Sequence, residues 1–348
     1  MSKEKVKQKK QKYCRQPKTA KRKFDPSVTP QRKSFILGTS LKWVNGTVIT
    51  FMFVEGAGPQ KNVVRKAFQT WKALGIGISF KEVANPKQAI IRIGFDLSDG
   101  SWSYVGRENL SIHKTKRTMN FGWSLTANSY GMTTAIHEIG HAIGFQHEHQ
   151  SPFSGIVWNA EAVYTSFSGD PNFWSKADID SNIIDKLPPN QVQGSVWDPK
   201  SIMEYEFDAG LILQPAKYKN GIFPPGILSA NDISGVKRFY PPQTAKSIFK
   251  LEHNKSAPFK GKPGSQIDFL FRAPFTRKYT FQTKGQLDTV MVISEKAKTE
   301  IHYLAGDDDS GVDRNAKIIL PLVKGRDYLV NIRVMYAPKE KSGTVIVV

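Results

Sequence analysis

The sequence predicts an α+β domain followed by an all-β domain. Three features carry that expectation. A helix-compatible run bears metal-ligand spacing at residues 137–147, strand and helix patterns alternate before it, and short period-two segments take over after Pro241-Pro242. At 348 residues with 39% hydrophobic content, the chain is long enough for two domains with real cores.

The elements follow in order. Residues 48–54 read as a strand, and Val63, Val64, Ala67, Phe68, Trp71 and Leu74 recur at helical spacing, so a first helix is expected over 61–74. Strands over 76–83, 89–95 and 118–123 would extend a twisted sheet, with an active-site helix over 132–143 beneath it. The 118–123 segment is either the strand at the cleft edge, where an extended substrate would pair with it backbone to backbone, or an interior strand. Beyond His147 the chain grows rich in Pro, Asn and Gly, as in a loop-dominated lower subdomain. Leu228-Ser229-Ala230-Asn231-Asp232-Ile233 reads as the capped start of a last helix, and the Pro pair after Tyr240 as a domain boundary. Alternating segments over 278–283, 289–294, 316–322 and 328–334 then predict a β-sandwich.

The chemistry concentrates in His137-Glu138-Ile139-Gly140-His141-Ala142-Ile143-Gly144-Phe145-Gln146-His147. Positions i and i+4 share one helix face, so His137 and His141 can offer two imidazoles to a single ion. Glu138 projects from the neighbouring face, suited to hold the attacking water, take its proton and return it to a leaving amine. Gly144 tolerates the left-handed backbone that reverses the chain and brings His147 back as third ligand. Three protein ligands leave the open position of a hydrolytic zinc, whereas a structural site takes four. HExxH alone would arise by chance in roughly one in a hundred chains of this length, and Gly144 with His147 makes coincidence far rarer.

Ser201-Ile202-Met203-Glu204-Tyr205 resembles the Met-turn of the metzincin metalloproteases. Tyr205, two residues after Met203, resembles the astacin and serralysin pattern, which implies a tyrosine able to ligate zinc and to stabilise the oxyanion. Glu204 stands where astacins usually carry His. Ile91-Arg92-Ile93-Gly94-Phe95-Asp96, Asp99-Gly100-Ser101-Trp102-Ser103-Tyr104, Met119-Asn120-Phe121-Gly122-Trp123 and His147-Glu148-His149-Gln150-Ser151-Pro152 are similar to a bacterial and fungal astacin-like or matrixin-like group, over roughly 40–242. The resemblance implies a zincin-like catalytic domain over 40–242 and an astacin-like zinc endopeptidase acting on protein or peptide substrates. Zinc would be held by His137, His141, His147 and Tyr205, with Glu138 and Tyr205 catalytic and Glu148 structural. His149 is expected to pack or hydrogen-bond beside the site.

Tyr279-Thr280-Phe281, Asp288-Thr289-Val290, the Asp307 to Gly311 run and Gly325-Arg326-Asp327-Tyr328 resemble the bacterial pre-peptidase C-terminal domain, placed over 246–348. Asp307, Asp308 and Asp309, with Asp313, are either a calcium site or a solvated acidic turn.

Residues 1–39 form a basic arm or pro-segment expected to be disordered in isolation. The first 35 residues hold thirteen Lys or Arg against Glu4 and Asp25, more than half of the chain's net charge of +20. Such an arm is a solvated tail or a weak binder of anionic surfaces, and with no reader fold specific nucleic-acid binding is not expected. No apolar run reaches membrane-span length and no secretory signal is visible, so secretion by a non-classical route or a cytoplasmic location both stay open. A monomer is expected. The lone Cys14 excludes an intramolecular disulfide. Tyr13-Cys14-Arg15-Gln16-Pro17 resembles the cysteine switch of matrixin pro-segments only in its Cys and in the Pro three residues on. Cys14 is then either a latency ligand for zinc or an incidental thiol. A silent protein-binding module on a protease scaffold, and a surface or nucleic-acid binder through the arm, are the competing functions.

Overall fold

A computed structural model of the chain describes residues 12–17, 41–189, 197–242, 248–262, 264–297, 301–307, 310–311, 315–336 and 341–348. Its internal contacts define two units. One draws its described residues from Met1–Lys21, Phe51–Trp71 and Val83–Gly235, the other from Arg22–Thr50, Lys72–Glu82 and Val236–Val348.

The first sheet joins β1 (Val48–Phe53), β2 (Ser79–Glu82), β3 (Ile91–Gly94), β4 (Trp102–Ser103) and β5 (Met119–Asn120) in the order β2-β1-β3-β5-β4. β1, β3 and β5 run parallel and β4 antiparallel, giving a mixed sheet. β3 is buried at every position, as a strand covered on both faces must be. Its Arg92 is 1% exposed, and its guanidinium donates to the carbonyls of Ala89, Ile90, Ile112, His113 and Lys116, which stand in for water around a charge that is costly to bury. Helix α1 (Gly58–Lys72) buries Val64, Ala67, Phe68 and Trp71, the stripe its spacing predicts, and Phe68 stacks on Phe51 at 4.2 Å.

The sheet decides between two expectations. Met119 and Asn120 lie between β3 and β4, so the strand within the 118–123 segment is interior and β4 is the edge on that side. A two-residue strand whose pairing comes from distant segments leaves no periodic trace in the sequence.

Helix α2 (Tyr130–Ala142) carries the predicted histidines, with α3 (Ala160–Ser168), α4 (Lys176–Ile179) and the β6 (Val157–Trp158)–β7 (Ile212–Gln214) ribbon after it. Helix α5 (Ala230–Phe239) starts at a reciprocal cap: Ser229 N donates to Asp232 Oδ2 and Asp232 N to Ser229 Oγ.

The second unit contains a sandwich of two sheets. β13 (Ile301–Asp307), β12 (Asp288–Lys296), β15 (Asp327–Tyr336), β10 (Gln266–Arg272) and β8 (Phe249–Leu251) form the larger. β14 (Lys317–Leu322), β11 (Arg277–Gly285), β16 (Lys341–Val347) and β9 (Ala257–Gly261) form the smaller. Residues two apart face the core: Phe269 and Phe271, Tyr279 and Phe281, Ile318 and Leu320, Val330 and Ile332. Asp307 accepts from Ser310 N, Ser310 Oγ and Lys317 N, so protein donors hold this carboxylate in a turn, while Asp308, Asp309 and Asp313 lie outside the described residues. Among the described residues no helix is long and apolar enough to cross a membrane.

Candidate active site

Helix periodicity places the first two ligands. His137 and His141 stand one turn apart on α2 with ring centroids 4.7 Å apart. The helix stops at Ala142, and Gly144 takes φ +106°, a backbone state that a side chain would strain. The chain reverses there and returns His147, whose Nε2 lies 3.0 Å from His141 Nε2.

Each ring is oriented from behind. His137 Nδ1 lies 2.7 Å from Ile202 O, His141 Nδ1 2.8 Å from Phe145 O, and His147 Nδ1 3.3 Å from Gln150 Oε1. These acceptors favour the proton on Nδ1, although Gln16 Nε2 also lies 3.0 Å from His141 Nδ1, and leave the Nε2 atoms free to face a common ion. Burial lowers the pKa of all three imidazoles, His137 to about 4, so each is held in its neutral, ligating form.

The fourth member of the cluster is Cys14. One ligand atom from each of Cys14, His137, His141 and His147 lies within 4.8 Å of the others, and all four residues are buried. His137 Nε2 has no hydrogen-bond partner despite its burial. Three imidazole nitrogens and one soft sulfur match zinc, and a buried nitrogen without a protein partner is what a metal site leaves behind. The donor set fits zinc.

Three residues that the sequence analysis did not single out support this cluster, two of them through the loop carrying Met203. A Cβ on Gly140, one of the three residues between the helical ligands, would sit 2.4 Å from Met203 Sδ, so any larger residue there would have to push the methionine out of its place against the helix. Asp232 accepts from Ser201 Oγ at 2.6 Å and from Ile202 N at 2.8 Å, so the carboxylate that caps α5 also fixes the turn whose Ile202 carbonyl orients His137. Met203 O in turn accepts from Glu148 N. Gln150 is a third such residue, since it orients His147. The partners of Gly140 and Asp232 are distant in sequence, and only Asp232 left a trace, as a helix-cap residue.

Glu138 sits beside the cluster, wholly buried. Its Oε2 accepts from Cys14 Sγ at 3.5 Å, its Oε1 is unpartnered, and burial raises its pKa to about 8. Tyr205 closes the other side, its ring 4.4 Å from that of His147, and its hydroxyl donates to the Cys14 carbonyl. The segment carrying Cys14 crosses the cleft: Arg15 N donates to Ser101 O next to the edge strand β4, Gln16 N to Asn182 Oδ1, and the Gln16 amide to Gln146 Oε1. His149 stays out of the ligand cluster. Its Nε2 lies 2.8 Å from Asn182 O and its Nδ1 3.4 Å from Glu204 Oε1, beside the site as expected. Glu148 Oε2 accepts from Asp198 N, a structural contact.

Comparison with known proteins points the same way as the geometry. The family model described as Astacin, a peptidase family, matches residues 36–154. The structure of myroilysin shares 35% identity over 60% of this chain and 98% of that chain, with a TM-score of 0.55. Bone morphogenetic protein 1 from Xenopus laevis is 25% identical over 235 residues, 62% of this chain, and the chain spans 29% of that relative's length. The pre-peptidase C-terminal domain of a collagenase from Bacillus anthracis is 10% identical over 30% of this chain and 99% of that one, with a TM-score of 0.26.

Proposed function

The chain belongs to the astacin family of zinc peptidases, and from that premise we propose that it is an endopeptidase whose intact form is kept latent by Cys14. The observation that carries the reading is the meeting of Cys14 with His137, His141 and His147 in one buried cluster, with Glu138 against it. Residues 40–242 would form the catalytic domain, and 246–348 an accessory β-sandwich.

His137, His141 and His147 would hold zinc, which when bound supplies Lewis acidity to the attacking water and the scissile carbonyl. Glu138 is the proton carrier. Its carboxylate lies against the cluster with Oε1 unpartnered, placed to accept a proton from water and pass it to the leaving amine. Tyr205 directs its hydroxyl at a peptide carbonyl, that of Cys14, and the same donor would meet the oxygen of a substrate once the segment has left. With zinc held by the three histidines, the Cys14 sulfur would take the position that hydrolysis needs open, and residues 13–16 lie across the cleft, with Tyr13 N and Gln16 N donating to Asn172 and Asn182.

The test compares cleavage of an unfolded protein by the wild type, Cys14→Ala and Cys14→Ala/Glu138→Gln, with zinc content measured on each. Cleavage is expected from Cys14→Ala, little from the intact wild type, and a further loss of at least about 100-fold on adding Glu138→Gln. Zinc-loaded Cys14→Ala without activity would refute the peptidase reading, and equal activity of wild type and Cys14→Ala would refute latency.

A further inference from the structure

The Cys14 sulfur accounts for one residue of the segment in the cleft, and its neighbour Tyr13 has a seat of its own. The Tyr13 ring lies 5.0 Å from that of Phe167, 5.2 Å from that of Tyr205 and 6.5 Å from that of Phe207, nearly parallel to the last. Its hydroxyl donates to Glu206 O at 2.6 Å and its backbone N to Asn172 Oδ1 at 3.1 Å. The slot thus has aromatic walls, an acceptor for a phenol at its end, and an acceptor for the backbone at its mouth. It opens one residue away from the group facing the metal ligands.

We infer that this slot is a substrate subsite: the enzyme selects polypeptides with an aromatic side chain, tyrosine above phenylalanine, one residue from the position that faces the zinc ligands. The inference rests on the peptidase reading above and adds its specificity. Aromatic walls reward a flat apolar ring of matching size, and offset or tilted ring pairs add to the burial itself. Tyrosine gains over phenylalanine the hydrogen bond that its hydroxyl donates to the part-buried Glu206 carbonyl. Tyr13 occupies this place as a substrate residue would, so releasing the segment frees the metal position and the selecting slot together.

The experiment uses the full chain carrying Tyr13→Ala and Cys14→Ala, which empties the slot while leaving its walls intact, loaded with zinc. Two readouts are taken. The first is binding, by calorimetry, of the hexapeptide Lys-Tyr-Cys-Arg-Gln-Pro and its Phe and Ala counterparts at the second position. The second is the map of bonds cleaved in an unfolded protein. Replacing Tyr by Phe should weaken binding about threefold to tenfold. Replacing it by Ala should weaken binding on the order of 100-fold. Cleaved bonds should have an aromatic residue within one position on either side, a bias that Phe167→Leu, with its volume largely kept, should reduce without abolishing cleavage. Equal binding of the three peptides together with unbiased cleavage would overturn the subsite and leave the peptidase reading standing. Tyrosine-dependent binding with no cleavage would support the slot while refuting the peptidase.

Discussion

Gly140 and Met203 fit each other with no room to spare, since a Cβ at position 140 would fall 2.4 Å from Met203 Sδ. Gly140→Ala must therefore displace the methionine or bend the helix between His137 and His141. The expected cost is about 1–3 kcal/mol of stability, with faster loss of zinc to a chelator. Adding Met203→Ala should recover part of that loss, because the two changes act on the same space; thermal melts of both single variants and the double variant give the coupling. Additive losses would show that the two residues do not constrain each other.

Asp232 joins a helix cap to the turn that orients His137. Asp232→Ala should cost about 2 kcal/mol, by loss of the cap and of charge-assisted bonds to Ser201 and Ile202. It should also weaken zinc binding, although it touches no ligand. Calorimetric melting and zinc titration read the two effects separately, and unchanged zinc affinity would confine Asp232 to the cap.

Lys42 gives a pH dependence to the second unit. Burial, and then the like charges of Arg333 and Arg238, lower its pKa to about 7. Unfolding restores the ordinary value of about 10.4. Between those values the unfolded chain binds more protons, so this residue's contribution makes stability rise with pH from 7 toward 10. Lys42→Met should raise the melting temperature by a few degrees at pH 6 to 7, on the order of 1–2 kcal/mol, and the gap should close by pH 10. A gap constant across that range would contradict the shift.

The parts of the site legible in the sequence are those built by local geometry. Helical period places His137 and His141, glycine's freedom at positive φ returns His147, and the Ser229–Asp232 cap follows from four neighbouring residues. What stayed illegible depends on distant partners. The edge position of β4 is set by pairing with β5, and the need for glycine at 140 by a methionine on a loop after the helix. Cys14 was legible only as one of two outcomes, because a thiol and a proline three residues apart do not state what they face. Its seat is fixed by contacts of Tyr13, Arg15 and Gln16 across the cleft.

The central claim is that three imidazoles form a zinc site which Cys14 completes in the intact chain. Zinc-edge X-ray absorption on the full chain and on Cys14→Ala tests it most directly. Three nitrogen scatterers and one sulfur are expected for the wild type, and nitrogen and oxygen alone for the variant. A wild-type shell without sulfur, or with fewer than three nitrogens, would contradict the account.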